Sequence, residues 1–377
     1  MKIGILTFHH SLNYGAMLQA FCLQSYLESF DHSVEFIDYN PAYLEQGGTL
    51  KSLSKVRFTR AYLKSLYLFS SAFAARYKYR LLSQKFSAFR QKSLNLSCIS
   101  FSSFSNLPVN EFKYDLIVIG SDQVWNPSDQ YGLDKVYFGD PLHSYAKRII
   151  SYAASFGSIN RIEPYTDSLP SLLHNFDDLS VRESSAQKLL SELSIDSSVV
   201  PDPTFLVQDL SDFSEASSSL PNDEQYAFFY ILRDASHIHR FADLVSNQKS
   251  LNNIYSAATP WRRWRRIGTE LELSPFEFIG AIQHSEFTIS NSFHGVVSSI
   301  LTSTNFIAVE LPGSKAGLSS RISDLLEYLG LSSRLVAADS LCDSLDLLSV
   351  PIDWLTVSEK IISLRNIGQG YLTKNSI

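Results

Sequence analysis

Short apolar runs that end in glycine or polar residues recur along the chain. The first is IGILTF at 3–8, followed by the loop HHSLNYGA and the helix candidate MLQAFCLQSYLESF. The alternating stretch SVEFIDY at 33–39 predicts a second strand. Strand, helix and strand at this spacing predict a β-α-β unit, whose two strands lie parallel in one sheet.

The same pattern continues through the first half of the chain. Strand candidates lie within YDLIVIGSDQVWNP at 114–127 and RIISYAASFG at 148–157. DDLSVRESSAQKLLSEL at 177–193 predicts a short strand that leads into a helix, and SSVVPDPTFL at 197–206 completes this half. Residues 208–224 are rich in serine and aspartate and include a proline, which is the composition of a linker.

A second series of strands and helices follows the linker. It comprises YAFFYIL at 226–232, NNIYSAA, PFEFIGAIQHS, EFTISNSFHG, NFIAVEL at 305–311, SRISDLLEYLGL and a final helix from about Val357. We therefore predict an N-terminal α/β lobe at 1–207 with a basic helical insertion at 51–92, a linker at 208–224, a C-terminal α/β lobe at 225–350 and a C-terminal helix at 351–377. Because open α/β sheets bind ligands beyond the carboxyl ends of their strands, two Rossmann-like lobes predict a central cleft.

Composition narrows the protein class. Hydrophobic residues make up 45% of the chain and charged residues 19%, as in an ordinary globular protein. Three widely spaced cysteines, without a CxxC pair, favour neither a disulfide framework nor a zinc site. The first apolar run is too short for a signal peptide, and no long uncharged apolar stretch predicts a membrane span. We therefore expect a cytoplasmic protein.

One segment reverses the overall acidic balance. The net charge is −6, yet residues 51–92 carry eleven Lys or Arg and no Asp or Glu, interleaved with aromatic residues. This pattern fits solvated surface helices, and it also fits helices that dock on an anionic membrane surface or a lipid diphosphate. The contact candidates are Lys64, Arg76, Lys78 and Arg80.

Nucleic-acid binding is disfavoured for this segment because the rest of the chain is acidic and no recognition motif is present. For the membrane interpretation, we expect salt-sensitive binding to anionic vesicles that weakens when several of these cations are neutralised. The cluster WRRWRR at 261–266 is open to two interpretations, a phosphate site or exposed arginines stacked on tryptophan.

Two polar stretches at predicted strand ends are candidates for chemistry. In SNSFHGVVSS, His294 follows the strand FTIS, and Gly295 is predicted to permit a tight turn before a helix whose N–H groups attract an anion. In GSDQVWNP, Asp122 follows the strand LIVIG. Taken singly, His294 is also compatible with a structural role, in which its ring only makes hydrogen bonds. Asp122 is likewise compatible with capping the turn that follows it.

Taken together, five segments resemble the polysaccharide pyruvyltransferase family over nearly the whole chain. They are IGILTFHHSLNYGAMLQAFCLQSYL, DLIVIGSDQVWNP, SVRESSAQKLLSEL with VVPDPTFL, SPFEFIGAIQHSEFTISNSFHGVVSSILTSTNFIAV and SSRISDLLEYLGLSSRLV. The resemblance implies a GT-B-like fold. It also implies transfer of the pyruvyl unit of phosphoenolpyruvate to a sugar, as a cyclic ketal, on a surface-polysaccharide precursor that is often lipid-linked.

The resemblance also implies roles for individual residues. His294 is the expected proton donor, Arg182 the expected donor-binding arginine, and Asp122 either accepts a proton from the acceptor hydroxyl or binds the sugar. Predicted substrate-binding residues are Asn13, Tyr14, Gly15, Ser121, Gln123, Asn126, Ser292, Gly295, Lys315 and Arg321. Some branches of the family carry an arginine where this chain has Ser292, so another cation is expected to grip the donor.

No metal-ligand spacing is visible, and the resemblance implies neither a metal nor a cofactor besides phosphoenolpyruvate as donor substrate. The expected partners are phosphoenolpyruvate, a lipid-linked oligosaccharide acceptor and an anionic membrane surface at the inner face of the cell membrane, with a homo-oligomer possible. Two alternatives stay open on the sequence alone: a glycosyltransferase with a nucleotide-sugar donor, and a non-catalytic scaffold for glycan assembly.

Overall fold

The computed structural model describes most of the chain. Its described residues are 1–41, 43, 79–103, 113–127, 132–214, 225–233, 235–247, 251, 253–259, 266–310 and 320–376. Lys64, Arg76, Lys78, Lys315 and residues 261–265 of the tryptophan-arginine cluster lie outside this set, so their predicted roles stay predictions.

Two compact units make up the chain. The first comprises Met1–Ser83, Ser87–Val207 and Arg365–Ile377, and the second comprises Gln84–Phe86 and Gln208–Leu364. The last helix therefore contributes to both units. Whether a cleft separates the lobes stays a prediction.

The first unit alternates strands and helices. Its strands are β1 (Lys2–Leu6), β2 (Ser33–Tyr39), β3 (Leu96–Phe101), β4 (Tyr114–Gly120), β5 (Ala146–Tyr152), β6 (Ser180–Val181) and β7 (Ser198–Val199). Its helices are α1 (Tyr14–Glu28), α2 (Arg80–Ser93, of which Gln84–Phe86 belong to the second unit), α3 (Ile159–Ile162), α4 (Leu169–Leu173) and α5 (Ser184–Glu192).

The sheet of the first unit is parallel and ordered β3-β2-β1-β4-β5. Its central strands are continuous apolar runs, as expected for strands covered on both faces. Ile3 and Ile5 of β1 and Ile117 and Ile119 of β4 are fully buried. The chain reverses its direction of sheet growth between β1 and β4, which makes their carboxyl ends the topological switch point.

The second unit repeats this plan. Its strands are β8 (Tyr226–Tyr230), β9 (Asn253–Ala257), β10 (Thr269–Leu271), β11 (Phe287–Ser290), β12 (Phe306–Glu310) and β13 (Leu335–Ala337). Its helices are α6 (Ser236–Ser246), α7 (Pro275–Gln283), α8 (Phe293–Leu301), α9 (Ser320–Leu329) and the first part of α10 (Trp354–Ser376). The parallel sheet is ordered β10-β9-β8-β11-β12-β13, so its switch point lies between β8 and β11.

The predicted fold class, α/β with two Rossmann-like lobes, is confirmed by these strand orders. One local expectation is wrong. The sequence predicts a turn at Gly295 ahead of a helix, but α8 already begins at Phe293, so His294 and Gly295 lie within its first turn. Among the described helices, none has both the length and the hydrophobicity needed to cross a bilayer.

Candidate functional site

The carboxyl edge of the first sheet carries the NYGA segment on the start of α1. The Asn13 Oδ1 atom accepts hydrogen bonds from the backbone N–H groups of Gly15 and Ala16 at 2.9 and 3.4 Å. This capping bond stabilises the start of the helix. Tyr14 and Gly15 are buried in its first turn. Asn13, Tyr14 and Gly15 thus lie at the predicted edge, while their contact with substrate stays a prediction.

The GSDQ segment reaches the same switch point after β4. Gly120 has a φ of +119°, and a Cβ there would overlap the backbone oxygen of Tyr152, so only glycine fits. Ser121 is fully buried, and its hydroxyl donates to the backbone oxygen of Ala153 at 3.2 Å. The Ser121 hydroxyl therefore stabilises the loop after β4 through a buried hydrogen bond.

Asp122 occupies an unusual backbone position at this edge. Its φ is +62°, in the left-handed region that few residues other than glycine adopt. The Oδ1 atom accepts the backbone N–H of Gln123 at 2.9 Å, and the backbone oxygen accepts the N–H of Ser155 at 3.1 Å. The side chain is partly exposed. Asp122 therefore combines the expected local bond with access to solvent.

The rest of this loop is anchored by buried side chains. Trp125 is fully buried, and its indole N–H donates to the backbone oxygen of Tyr137 at 2.8 Å. The amide of Asn126 donates to the Gln123 side-chain oxygen at 2.6 Å, and both side chains pack against Gly157. The predicted substrate-binding residues Gln123 and Asn126 are thus bonded to each other.

Arg182, at the end of β6, lies in a buried network of charges. Its Nη1 donates to Asp202 Oδ2 at 2.7 Å, and its Nε lies 3.4 Å from Glu183 Oε1. Only 3% of the Arg182 side chain is exposed, with 0% for Asp202 and 7% for Glu183. Burial by itself lowers the pKa of Arg182, but the Glu183, Asp202 and Asp122 carboxylates outweigh it and hold that pKa above its usual value.

This network reaches the GSDQ segment. The Ser121 hydroxyl lies 3.4 Å from Asp202 Oδ2, and the Ser155 hydroxyl donates to Glu183 Oε1 at 2.6 Å. The structure therefore brings Ser121, Asp122 and Arg182 into one network at the carboxyl ends of the strands of the first unit. Asp202 and Glu183 are the two carboxylates of this network for which the sequence alone predicted no role.

The carboxyl edge of the second sheet carries the SNSFHG segment. Ser292 caps α8, and its Oγ accepts the N–H of Gly295 at 3.4 Å. The Ser290 hydroxyl donates to the backbone oxygen of Tyr230 at 2.7 Å and so joins β11 to β8. A Cβ on Gly295 would overlap Ser290 Oγ and lie 2.9 Å from a Tyr230 ring carbon. Gly295 therefore permits α8 to pack closely on the two central strands.

His294 projects from the first turn of α8 at this edge. Its side chain is mostly buried, and its ring packs edge-on against Phe293, with the ring centroids 5.3 Å apart. The Arg321 guanidinium lies 5.7 Å from the centroid of the same Phe293 ring. His294 and Arg321 thus each contact the Phe293 side chain, at a helix start whose backbone N–H groups favour anions.

Asn291 fixes the loops on either side of this switch point. Its Oδ1 accepts the backbone N–H of Leu232 at 2.8 Å, and its Nδ2 donates to the backbone oxygen of Arg233 at 2.6 Å. The loop after β8 is therefore held against the loop after β11. Asn291 belongs to the SNSFHG segment, but its position in the sequence alone predicted no role for it.

A cavity of about 400 Å³ opens at the opposite edge of the second sheet. Glu286, Asn305 and Trp354 are among its lining residues. Glu286 and Asn305 directly precede β11 and β12, so this cavity lies at the amino ends of the strands. Ligands of open α/β sheets bind at the carboxyl ends, which leaves the His294 edge as the candidate site of the second unit.

Two Rossmann-like lobes in one chain, with polar groups at both switch points, define a GT-B-like α/β protein. The family model described as polysaccharide pyruvyl transferase matches residues 13–311, and the chain belongs to this family. It is therefore a transferase, as the motifs predicted.

The chain is similar to solved structures at low sequence identity. UDP-GlcNAc 2-epimerase from Neisseria meningitidis, bound to UDP-GlcNAc, is 8% identical with a TM-score of 0.50, over 99% of this chain and 99% of that chain. Sucrose-phosphate synthase from Thermosynechococcus elongatus is 12% identical with a TM-score of 0.49, over 100% and 98%. A comparison with curated protein sequences found no significant match.

Proposed function

We propose that this transferase moves the pyruvyl unit of phosphoenolpyruvate onto a sugar of a surface-polysaccharide precursor and forms a cyclic ketal. Family membership supports the pyruvyl transfer. The observation that carries the donor assignment is the pairing of His294 and Arg321 around Phe293 at the start of α8. A proton donor, a fixed cation and a helix N-terminus at one strand end suit a small, doubly anionic substrate.

The donor is held through its carboxylate and phosphate groups. The Arg321 guanidinium offers charge-assisted hydrogen bonds to either group, and the first-turn N–H groups of α8 offer further donors. Ser292 keeps the helix start in place through its capping bond. Lys315 is predicted to be a second cation that binds the donor. Because it lies outside the described residues, only the family resemblance supports its role.

The proposed reaction balances without an oxidant or a reductant. The His294 imidazolium gives its proton to the methylene carbon of phosphoenolpyruvate while a sugar hydroxyl adds to the neighbouring carbon. The proton of that hydroxyl restores the imidazolium. The second hydroxyl then displaces phosphate, which leaves with the bonding electrons and takes up the second proton. Histidine suits this task because its unperturbed pKa is the side-chain value nearest neutrality.

We propose that Asp122, in the first unit, binds the acceptor sugar. Asp122 is partly exposed, and a carboxylate accepts hydrogen bonds from sugar hydroxyls. We assign Arg182 to positioning, because its guanidinium is occupied by Asp202 and Glu183 within the network that touches Ser121. The proposal includes a lipid-linked acceptor at an anionic membrane surface, which the basic segment at 51–92 would contact through Lys64, Arg76, Lys78 and Arg80. Loss of salt-sensitive vesicle binding after neutralising these four cations tests this part.

We expect the purified chain to release inorganic phosphate from phosphoenolpyruvate only when a suitable lipid-linked saccharide is present. The acceptor should gain the mass of one pyruvate less one water. Phosphate release and product mass are measured together, with a nucleotide sugar offered in parallel. Transfer of a sugar from the nucleotide donor, with phosphoenolpyruvate left intact, would establish the glycosyltransferase alternative. No transfer from either donor would favour the scaffold.

A further inference from the structure

Three potential metal ligands converge at the carboxyl edge of the first sheet. His9 and His10 follow β1, and Asp38 lies near the end of β2, which pairs with β1 in parallel. Within the part of the chain that the structure describes, these three residues form the one group of His, Cys, Asp or Glu side chains whose ligand atoms all lie within 4.8 Å of one another. No role was assigned to them above.

The distances suit a small cation. His9 Nε2 lies 3.2 Å from Asp38 Oδ1, and His10 Nε2 lies 2.5 Å from the same oxygen. The two imidazole centroids are 4.5 Å apart. Ligand atoms around a tetrahedral Zn²⁺ lie about 3.3 Å apart, given bonds of about 2.0 Å. The His9 and Asp38 atoms already have this spacing, and His10 needs a shift of less than about 1 Å.

The second ring nitrogen of His9 fixes which atom faces the carboxylate. His9 Nδ1 lies 3.0 Å from the backbone oxygen of Thr7, a contact that requires the hydrogen to be on Nδ1. In the neutral ring, the Nε2 lone pair then points at Asp38 Oδ1, so two acceptors face each other unless a cation lies between them. A metal-binding histidine typically donates its other N–H to a carbonyl oxygen in this way.

Access to the cluster is uneven. The His9 side chain is 0% exposed, whereas those of His10 and Asp38 are each 12% exposed. A metal ion held by these ligands would have one buried imidazole behind it and an opening toward solvent in front. Three protein ligands and one open position is the pattern of sites that bind a water or an oxygen ligand.

We propose that His9 Nε2, His10 Nε2 and Asp38 Oδ1 bind one divalent first-row transition-metal ion of the Zn²⁺ type, with a coordination position open to an oxygen ligand. The ion ties the loop between β1 and α1 to the end of β2, three residues ahead of the Asn13 cap. This inference goes beyond the proposed function, and no step of the pyruvyl transfer depends on it.

The test uses the full chain, freed of metal by a chelator and titrated with Co²⁺. One equivalent should produce the visible absorption bands of a low-coordinate site, and Zn²⁺ should displace it. The variants Asp38→Asn and His10→Gln should lose this binding at least about tenfold, as expected when a ligand is removed. His143→Ala, which removes an exposed histidine elsewhere in the same unit, should bind like the parent.

A second measurement guards against a variant that fails to fold. Zn²⁺ should raise the midpoint of thermal unfolding of the parent and of His143→Ala, and should leave both cluster variants unchanged. Sub-stoichiometric Co²⁺ binding, or binding that the cluster variants retain, would overturn the proposal in favour of a proton shared between the imidazoles and Asp38. Neither readout depends on turnover, so the outcome is independent of the proposed function.

Discussion

Replacing His294 with alanine should lower turnover of phosphoenolpyruvate by about 10²- to 10⁴-fold, the usual contribution of a positioned general acid. The expected effect is on kcat, because the methylene carbon loses its proton donor, while Arg321 and the start of α8 still hold the two anionic groups of the donor. Steady-state phosphate release, with phosphoenolpyruvate varied at saturating acceptor, separates kcat from KM.

The matched control is His284→Ala. His284 lies at the end of α7, where its Nδ1 bonds the Gly280 backbone oxygen at 2.8 Å, and β11 begins three residues later at Phe287. This variant removes an imidazole from the same unit at the edge away from His294, so its turnover should stay near that of the parent. Similar turnover losses in both variants, or full activity of His294→Ala, would contradict the assignment of His294 as proton donor.

Replacing Arg182 with methionine should lower the free energy of unfolding of the first unit by about 3–5 kcal/mol, the typical cost of removing one partner from a buried ion pair. Methionine keeps the apolar stem but leaves the carboxylates of Asp202 and Glu183 in a site that is almost closed to water. Urea unfolding of the full chain measures the loss as a lower midpoint of the transition.

Two comparisons make this stability prediction specific. Lys147→Met breaks the pair with Asp115, but the Lys147 side chain is 79% exposed, so little change is expected. Adding Asp202→Asn to Arg182→Met removes one of the stranded charges and should recover part of the loss. If Arg182→Met is no more destabilising than Lys147→Met, the buried network is not what holds this edge together.

Much of the fold could be predicted because central parallel strands are continuous apolar runs. The strands β1, β4 and β8 follow directly from IGILTF, DLIVIG and YAFFYIL. The sequence pattern did not predict β3, because LSCISF forms the outermost strand of its sheet, is only partly buried and includes polar residues. The starts of α1 and α8 were placed too late, because capping by Asn13 and Ser292 lets each helix begin before its apolar stretch.

The candidate site was predictable only where its residues follow a strand directly. His294 and Asp122 could be placed at strand ends from their own segments. Arg182 could not be assigned to a buried network, since its partner Asp202 lies 20 residues further along the chain. The grouping of His9 with Asp38, 29 residues apart, depends on the register of β1 against β2, which the predicted β-α-β unit leaves open.

A crystal structure with phosphoenolpyruvate bound tests most directly whether this donor binds at the carboxyl ends of the strands of the second sheet. We expect its phosphate and carboxylate groups to contact the start of α8 and the Arg321 guanidinium, with the methylene carbon within reach of a His294 ring nitrogen. Phosphoenolpyruvate bound far from His294, or no binding at concentrations that support turnover, would contradict it.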